Sequence, residues 1–280
     1  MRKAELLEAL GSRRLRLKKS LGQNYLIDPH VTRRAVDACE LGPGDTVVEI
    51  GAGLGALTEL LAPRVKRLIA VEIDHQIVEL LAERLHDAPN VEVICQDILE
   101  FPWDRYPRSL VVGAIPYQIT SPILVELCRS GHRIPAVWLG MQDEVARRLS
   151  ATPGTKAYGR LTVLVHYRFE VKTMFKLPRQ AFFPQPRVDS AWVRLTARPA
   201  PAVAVPDEAL FFGVVRAAFS QRRKTLLNCL GELTQPRLSR PEAQEALGRA
   251  GIRPGVRGET LSLAAFAQLA AAIQDLKPAH

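Results

Sequence analysis

A chain of 280 residues, 47% of them hydrophobic, is long enough for one large core and a smaller second one, and no apolar run in it approaches the length of a membrane span. The net charge of +9 and isoelectric point near 9.7 favour a polyanionic partner, because each phosphate neutralised releases condensed counterions. Cys39, Cys95, Cys128 and Cys229 stand far apart in no paired spacing, which argues against a disulfide framework or a zinc site and for a reducing, cytosolic setting.

The first twenty residues carry acids and no continuous apolar core, so they do not read as a secretory signal. Arg13, Arg14, Arg16, Lys18 and Lys19 crowd one short stretch there with no acid among them. From about residue 30 to 140, short apolar runs alternate with amphipathic segments. T-V-V-E-I (46–50), L-I-A-V-E-I (68–73), V-E-V-I-C (91–95), L-V-V-G (110–113) and A-V-W-L-G (136–140) are β-branched and nearly continuous in apolarity, as parallel strands covered on both faces should be. Between them A-L-T-E-L-L-A, H-Q-I-V-E-L-L-A-E-R-L and P-I-L-V-E-L-C space their apolar residues as helices do. Strand and helix in alternation predict an open, Rossmann-like α/β sheet.

V-D-S-A-W-V-R-L-T (188–196) alternates like a strand, and R-P-A-P-A-V-A-V-P (198–206) reads as a semi-rigid linker. Beyond it the pattern is helical, and Ser239-Arg240-Pro241-Glu242 has the spacing of a capping box. The expected organisation is therefore an α/β domain over 1–197, a linker over 198–206 and a small all-helical domain over 207–280. Arg222, Arg223 and Lys224 form a second basic cluster, suited to phosphate contacts.

Strand 46–50 runs into G-A-G-L-G-A (51–56) and then a helix. Gly51 and Gly53 permit positive φ and close approach of a ligand, and the helix start is expected to offer free N–H groups. Glu72 ends the next strand about twenty residues on, where an acid accepts from ribose hydroxyls; Asp97 follows the third strand and can bind an adenine edge. Both acids fall at carboxyl ends of strands, where open α/β sheets bind ligands. NAD and S-adenosylmethionine, both adenosine derivatives, remain open on these residues alone.

The fourth strand runs into G-A-I-P-Y-Q-I-T-S-P (113–122). Pro116 stiffens the chain and lacks an N–H, which is expected to leave neighbouring carbonyls facing a substrate. Tyr117 offers a π-face on which a base can stack, a pairing worth about 1–3 kcal/mol. The combination suits a flipped adenine whose exocyclic amine is held by acceptors and aimed at a methyl donor, with positioning as the main source of catalysis.

Together these segments resemble the ribosomal RNA adenine-N6 dimethyltransferases of the KsgA type. The likeness runs from L-K-K-S-L-G-Q-N-Y-L-I-D (17–28) through V-E-I-G-A-G-L-G-A-L-T, V-E-I-D, Q-D-I-L, I-P-Y and M-Q-D-E-V-A-R-R-L. It continues to K-A-Y-G-R-L (156–161), A-F-F-P-Q-P-R-V-D-S-A (181–191) and Q-R-R-K-T-L-L-N (221–228). The resemblance implies S-adenosyl-L-methionine as cofactor, held by Asn24, Leu26, Gly51, Gly53, Glu72, Asp97 and Ala114, with no metal. It implies a target-base site at Ala114, Ile115, Pro116 and Tyr117, with Phe182 opposite the tyrosine, and rRNA contacts through Arg222, Arg223 and Lys224. It further implies a cytoplasmic monomer acting on two adjacent adenines near the 3′ end of 16S rRNA, late in assembly of the small ribosomal subunit. The family's loop reads N-[LI]-P-[YF], and this chain has Ala114 at the first position. That departure leaves two functions open: a dimethyltransferase with impaired turnover, or an RNA-binding assembly factor that keeps the fold.

Overall fold

A computed structural model of the chain describes residues 2–13, 17–18, 21–130 and 133–277. The chain divides into two compact units, residues 1–146 with 169–197, and residues 147–168 with 198–280.

The first unit opens with α1 (Lys3–Ser12), the two-residue strand β1 (Tyr25–Leu26) and α2 (Pro29–Asp37). Asp28 caps α2 by accepting from the N–H groups of His30 and Val31, and Pro29 occupies the first turn, where its missing N–H costs nothing. Then come β2 (Thr46–Ile50), α3 (Thr58–Leu61), β3 (Arg67–Glu72), α4 (His75–Arg84), β4 (Val91–Cys95), β5 (Leu110–Ala114), α5 (Thr120–Arg129), β6 (Ala136–Gln142) and the start of α6 (Asp143–Leu149), whose last three residues belong to the second unit. The unit closes with β7 (Phe169–Leu177), β8 (Phe182–Phe183) and β9 (Ser190–Ala197). The helix expected over residues 56–62 is one turn only, because Pro63 has no N–H to continue it and the chain tightens into a 3₁₀ turn at Ala62–Arg64.

Seven strands form one sheet in the order β4-β3-β2-β5-β6-β9-β7. The five predicted parallel strands run β4-β3-β2-β5-β6, and β9 and β7 add antiparallel on one side. From β2 the order proceeds outward through β3 and β4, then returns to β5 on the other flank. This reversal opens a crevice at the carboxyl ends of the strands. Val47, Leu68 and Val112 from the sheet pack with Ala35, Val36, Leu57, Leu61 and Trp192 in one fully buried cluster.

The second unit holds α7 (Arg160–Arg168), α8 (Glu208–Ala218), α9 (Leu226–Leu230), α10 (Arg240–Arg249) and α11 (Leu263–Leu276). Ser239 caps α10 as its spacing predicts: its N–H donates to Glu242 Oε2 at 2.7 Å and its Oγ accepts from Glu242 N at 3.4 Å. Two expectations about boundaries change. Residues 147–168 group with the helices, because Val163 and Tyr167 pack with Phe211 and Val214, and the Tyr167 hydroxyl donates to Glu208 at 3.0 Å. The Ala/Pro-rich 198–206 segment is also part of that unit: Ala202 N–H bonds the Tyr167 carbonyl, and Val203 and Val205 pack on its core.

Candidate active site

One pocket of about 840 Å³, counting its open mouth, lies at the crevice of the sheet. All seven expected cofactor residues, Asn24, Leu26, Gly51, Gly53, Glu72, Asp97 and Ala114, line it.

Its floor is the turn after β2. Gly51 and Gly53 have φ of +70° and +55°, and a Cβ on Gly53 would sit 2.9 Å from the Tyr25 ring. Four N–H groups of this turn are already bonded within the protein. Gly51 and Ala52 both donate to the Val71 carbonyl, Gly53 donates to Glu72 Oε2 at 3.0 Å, and Gly55 donates to Ala52. Its glycines therefore offer shape rather than donors.

Glu72, at the end of β3, is nearly buried and accepts three backbone N–H bonds of 3.0 Å, from Gly53, Ile73 and Asp74. Burial pushes its carboxyl above the usual range, against the pull of those bonds. Oε1 takes two of these bonds and Oε2 one, so Oε2 keeps a further acceptor site, and a rigidly held acid lines the pocket. Asp97 accepts from Leu99 N–H at 2.9 Å and so caps the short turn after β4.

Two kinds of residue join this lining that sequence patterns did not single out. Ile73, 48% exposed, and the buried Ile98 give it apolar walls on either side of the acids. Glu49, inside β2, lines the pocket while only 1% exposed, and its Oε2 has no hydrogen-bond partner. Burial pushes its carboxyl up to about 8, tempered by Thr58 beside it and reinforced by the Glu72 charge. The Thr58 hydroxyl makes no hydrogen bond of good geometry. A buried acid without a cation is costly, and this one lies in the pocket wall.

The N-terminal arm covers the rim. Leu6 and Leu10 of α1 pack with Tyr25, Leu54, Ile77 and Leu80. Lys18 Nζ binds Asp74 at 2.8 Å, Gln23 donates to the same carboxylate at 3.2 Å, and Arg13 pairs with Glu83. The described cations of the basic arm are thus taken by the protein's own acids; Arg14, Arg16 and Lys19 lie outside the described residues.

Ala114 ends β5 opposite Gly140 of β6. The expectation that carbonyls around Pro116 stay open is only partly met, because the Pro116 carbonyl accepts from Ile119 N–H and the Thr120 hydroxyl, both at 3.3 Å. Ile115 is buried. Tyr117 begins a 3₁₀ turn, is partly buried, and shares a 2.7 Å hydrogen bond with Ser190 Oγ. Phe182 pairs with Leu26 across β8 and β1, and its side chain lies in the core cluster at 5% exposure.

In the helical unit, Arg222, Arg223 and Lys224 occupy the turn between α8 and α9 and are exposed. Arg222 donates to the Lys156 carbonyl at 2.6 Å and lies 3.8 Å from Glu259. The K-A-Y-G-R and Q-R-R-K segments, far apart in sequence, therefore meet.

The profile of the ribosomal RNA adenine dimethylases matches residues 14–275. The chain belongs to that family. It is 46% identical over 269 residues to the ribosomal RNA small subunit methyltransferase A of Moorella thermoacetica, covering 92% of each chain. It is 45% identical over 268 residues to the protein of the same name from Geobacillus thermodenitrificans, again covering 92% of each. Among solved structures, a dimethyladenosine transferase from Plasmodium falciparum superposes with a TM-score of 0.74 at 25% identity, covering 87% of this chain and 95% of that one. The 23S rRNA methyltransferase ErmE gives 0.63 at 30% identity, with 89% and 99% covered. As a family member the chain is an S-adenosylmethionine-dependent rRNA adenine dimethyltransferase, and the NAD reading of the glycine loop is set aside. The pocket fits that cofactor: it has two acids and apolar walls for an adenosine, and an orphaned buried carboxyl for an ammonium group.

Proposed function

We propose that the chain methylates N6 of two adjacent adenines near the 3′ end of small-subunit 16S rRNA, late in assembly of that subunit, acting as a cytoplasmic monomer. The observation that carries this most is that all seven cofactor residues, Ala114 among them, line one pocket together with Pro116 of the Ile-Pro-Tyr loop. The names of the relatives at 45–46% identity support the small subunit as target.

When bound, S-adenosylmethionine supplies an electrophilic sulfonium methyl group. Glu72 takes its ribose hydroxyls, Asp97 its adenine edge, and Glu49 its α-ammonium. Gly51 and Gly53 let the backbone approach, while Asn24 and Leu26 close the pocket from the arm. Tyr117 and Phe182 stack the target base from two sides, and Arg222, Arg223 and Lys224 bind rRNA phosphates. With Ala114 in the amide's place and the Pro116 carbonyl already bonded, the Ile115 carbonyl is the acceptor left to orient the target amine.

Ala114 also favours a second reading, an assembly factor that binds rRNA and cofactor without useful turnover, since neither binding function needs the amide. Labelled S-adenosylmethionine and unmethylated small subunits decide between them with the chain as it is and its Ala114→Asn variant. By analogy with other preorganised transition-state contacts, restoring the amide raises the rate roughly 10²–10³-fold. Equal rates in the two proteins refute the role assigned to the side chain at 114. Transfer by neither, with subunit binding retained, establishes the assembly-factor reading.

A further inference from the structure

The two aromatic elements of the target-base site come from distant parts of the chain, and one dipeptide touches both. Ser190 opens β9, is fully buried, and stands in register between Gln142 of β6 and Leu177 of β7. Its hydroxyl meets the Tyr117 hydroxyl at 2.7 Å. Its neighbour Asp189 accepts from Arg179 N–H at 3.0 Å, and Arg179 begins the 3₁₀ turn, Arg179–Ala181, that delivers Phe182. The Asp189 carbonyl accepts from Asp143 N–H at 3.1 Å, just past the end of β6. We infer that Asp189 and Ser190 are positioning residues that set the spacing and tilt of Tyr117 relative to Phe182 before the target base arrives.

The inference rests on the stacking role proposed above for those two rings. A stacked base tolerates little error in the planes that hold it, and productive sites are fixed to about 0.5 Å and 10–20°. Tyr117 lies in a three-residue turn, and its ring has two side-chain torsions to be fixed. A phenol anchored on a hydroxyl that is itself locked between two strands loses that freedom in advance. Phe182 has no polar handle, so its placement comes from the backbone: the Asp189 bond to the preceding turn on one side, and on the other the pairing with Leu26. Neither Asp189 nor Ser190 lines the cofactor pocket. Their loss should therefore spare cofactor binding while disturbing the base.

The test uses an RNA fragment with 2-aminopurine in place of the target adenine, because this base loses fluorescence when it stacks. It is applied to the full chain and to Ser190→Ala, Tyr117→Phe, their double variant, Asp189→Ala and Asp189→Asn. Bound to the unaltered chain, the probe is quenched. Ser190→Ala and Tyr117→Phe each lose roughly half or more of that quenching, with cofactor affinity and melting temperature held, because a freed ring stacks less well. The double variant loses no more than either single one, since both remove the same bond. Asp189→Asn, which keeps an acceptor for Arg179 N–H, restores what Asp189→Ala loses. Single-turnover methyl transfer, where measurable, falls about tenfold with little change in KM. Full quenching in Ser190→Ala, or losses that multiply in the double variant, overturn the inference. Absence of quenching in the unaltered chain with RNA bound overturns the stacking reading itself, and so separates the two failures. If the single variants melt early, the Asn and Ala pair at position 189 carries the decision.

Discussion

Replacing Glu49 with Gln removes one buried carboxyl and keeps its shape, so it isolates the effect of a charge placed in the strand beneath the cofactor pocket. The side chain is fully buried, and its carboxyl is pushed from 4.5 up to about 8, chiefly by burial. In the unfolded chain it titrates at its ordinary value, so between those two points the folded protein holds a proton that the unfolded chain has released. Stability therefore falls as pH rises, by ~1.4 kcal/mol per pH unit from about 4.5, and the loss is complete near pH 8. The full penalty approaches about 5 kcal/mol, a large part of a typical net stability of about 5–15 kcal/mol. Glu72 is shifted in the same direction, so the difference between the two proteins is the informative quantity. Urea unfolding at pH 5, 6, 7 and 8 without cofactor should show similar stabilities at pH 5 and a steadily widening advantage for Glu49→Gln above it. Added S-adenosylmethionine should narrow that advantage, because its ammonium group pairs with the carboxylate and not with the amide. Losing one charged hydrogen bond of about 1.5–3 kcal/mol weakens cofactor binding roughly 10- to 150-fold. Parallel pH curves for the two proteins, or equal cofactor affinity, refute the assignment of Glu49 as an unpaired acid awaiting a cation.

Gly53→Ala forces a side chain into a left-handed backbone position and against the Tyr25 ring; isothermal titration should show cofactor affinity reduced at least about tenfold, at a strain of order 1–3 kcal/mol. Arg223→Glu with Lys224→Glu reverses two exposed charges on the turn between α8 and α9. Subunit binding should weaken and the slope of log affinity against log salt should shallow by roughly 1–2, whereas an unchanged slope removes this turn from the rRNA contact.

The five parallel strands were legible because strands covered on both faces must be short, β-branched and apolar throughout. β7 was not. It is an edge strand with mixed exposure and a register shift between Thr173 and Phe175, so its residues alternate imperfectly and several are polar. α7 escaped for the opposite reason: Thr162, Val163, Leu164, Val165 and Tyr167 are all buried, which erases the one-sided periodicity of a surface helix. In the site, the glycine loop and the acids at strand ends announced themselves by position. Glu49 did not, since an acid inside a strand looks like the polar member of an alternating pattern until its burial is known. The bond between Tyr117 and Ser190 spans 73 residues, and no local pattern encodes it.

Asp74 sits where three pieces of the molecule meet. Its backbone N–H bonds Glu72, its side chain grips Lys18 and Gln23 of the arm, and one of its oxygens caps α4 through Gln76 N–H at 3.3 Å. A residue with three employers has little room to drift. Any replacement must suit the pocket wall, the helix start and a partner 56 residues away at the same moment. The arm and the end of β3 are therefore tied through one carboxylate, so that a change at residue 74 disturbs both at once.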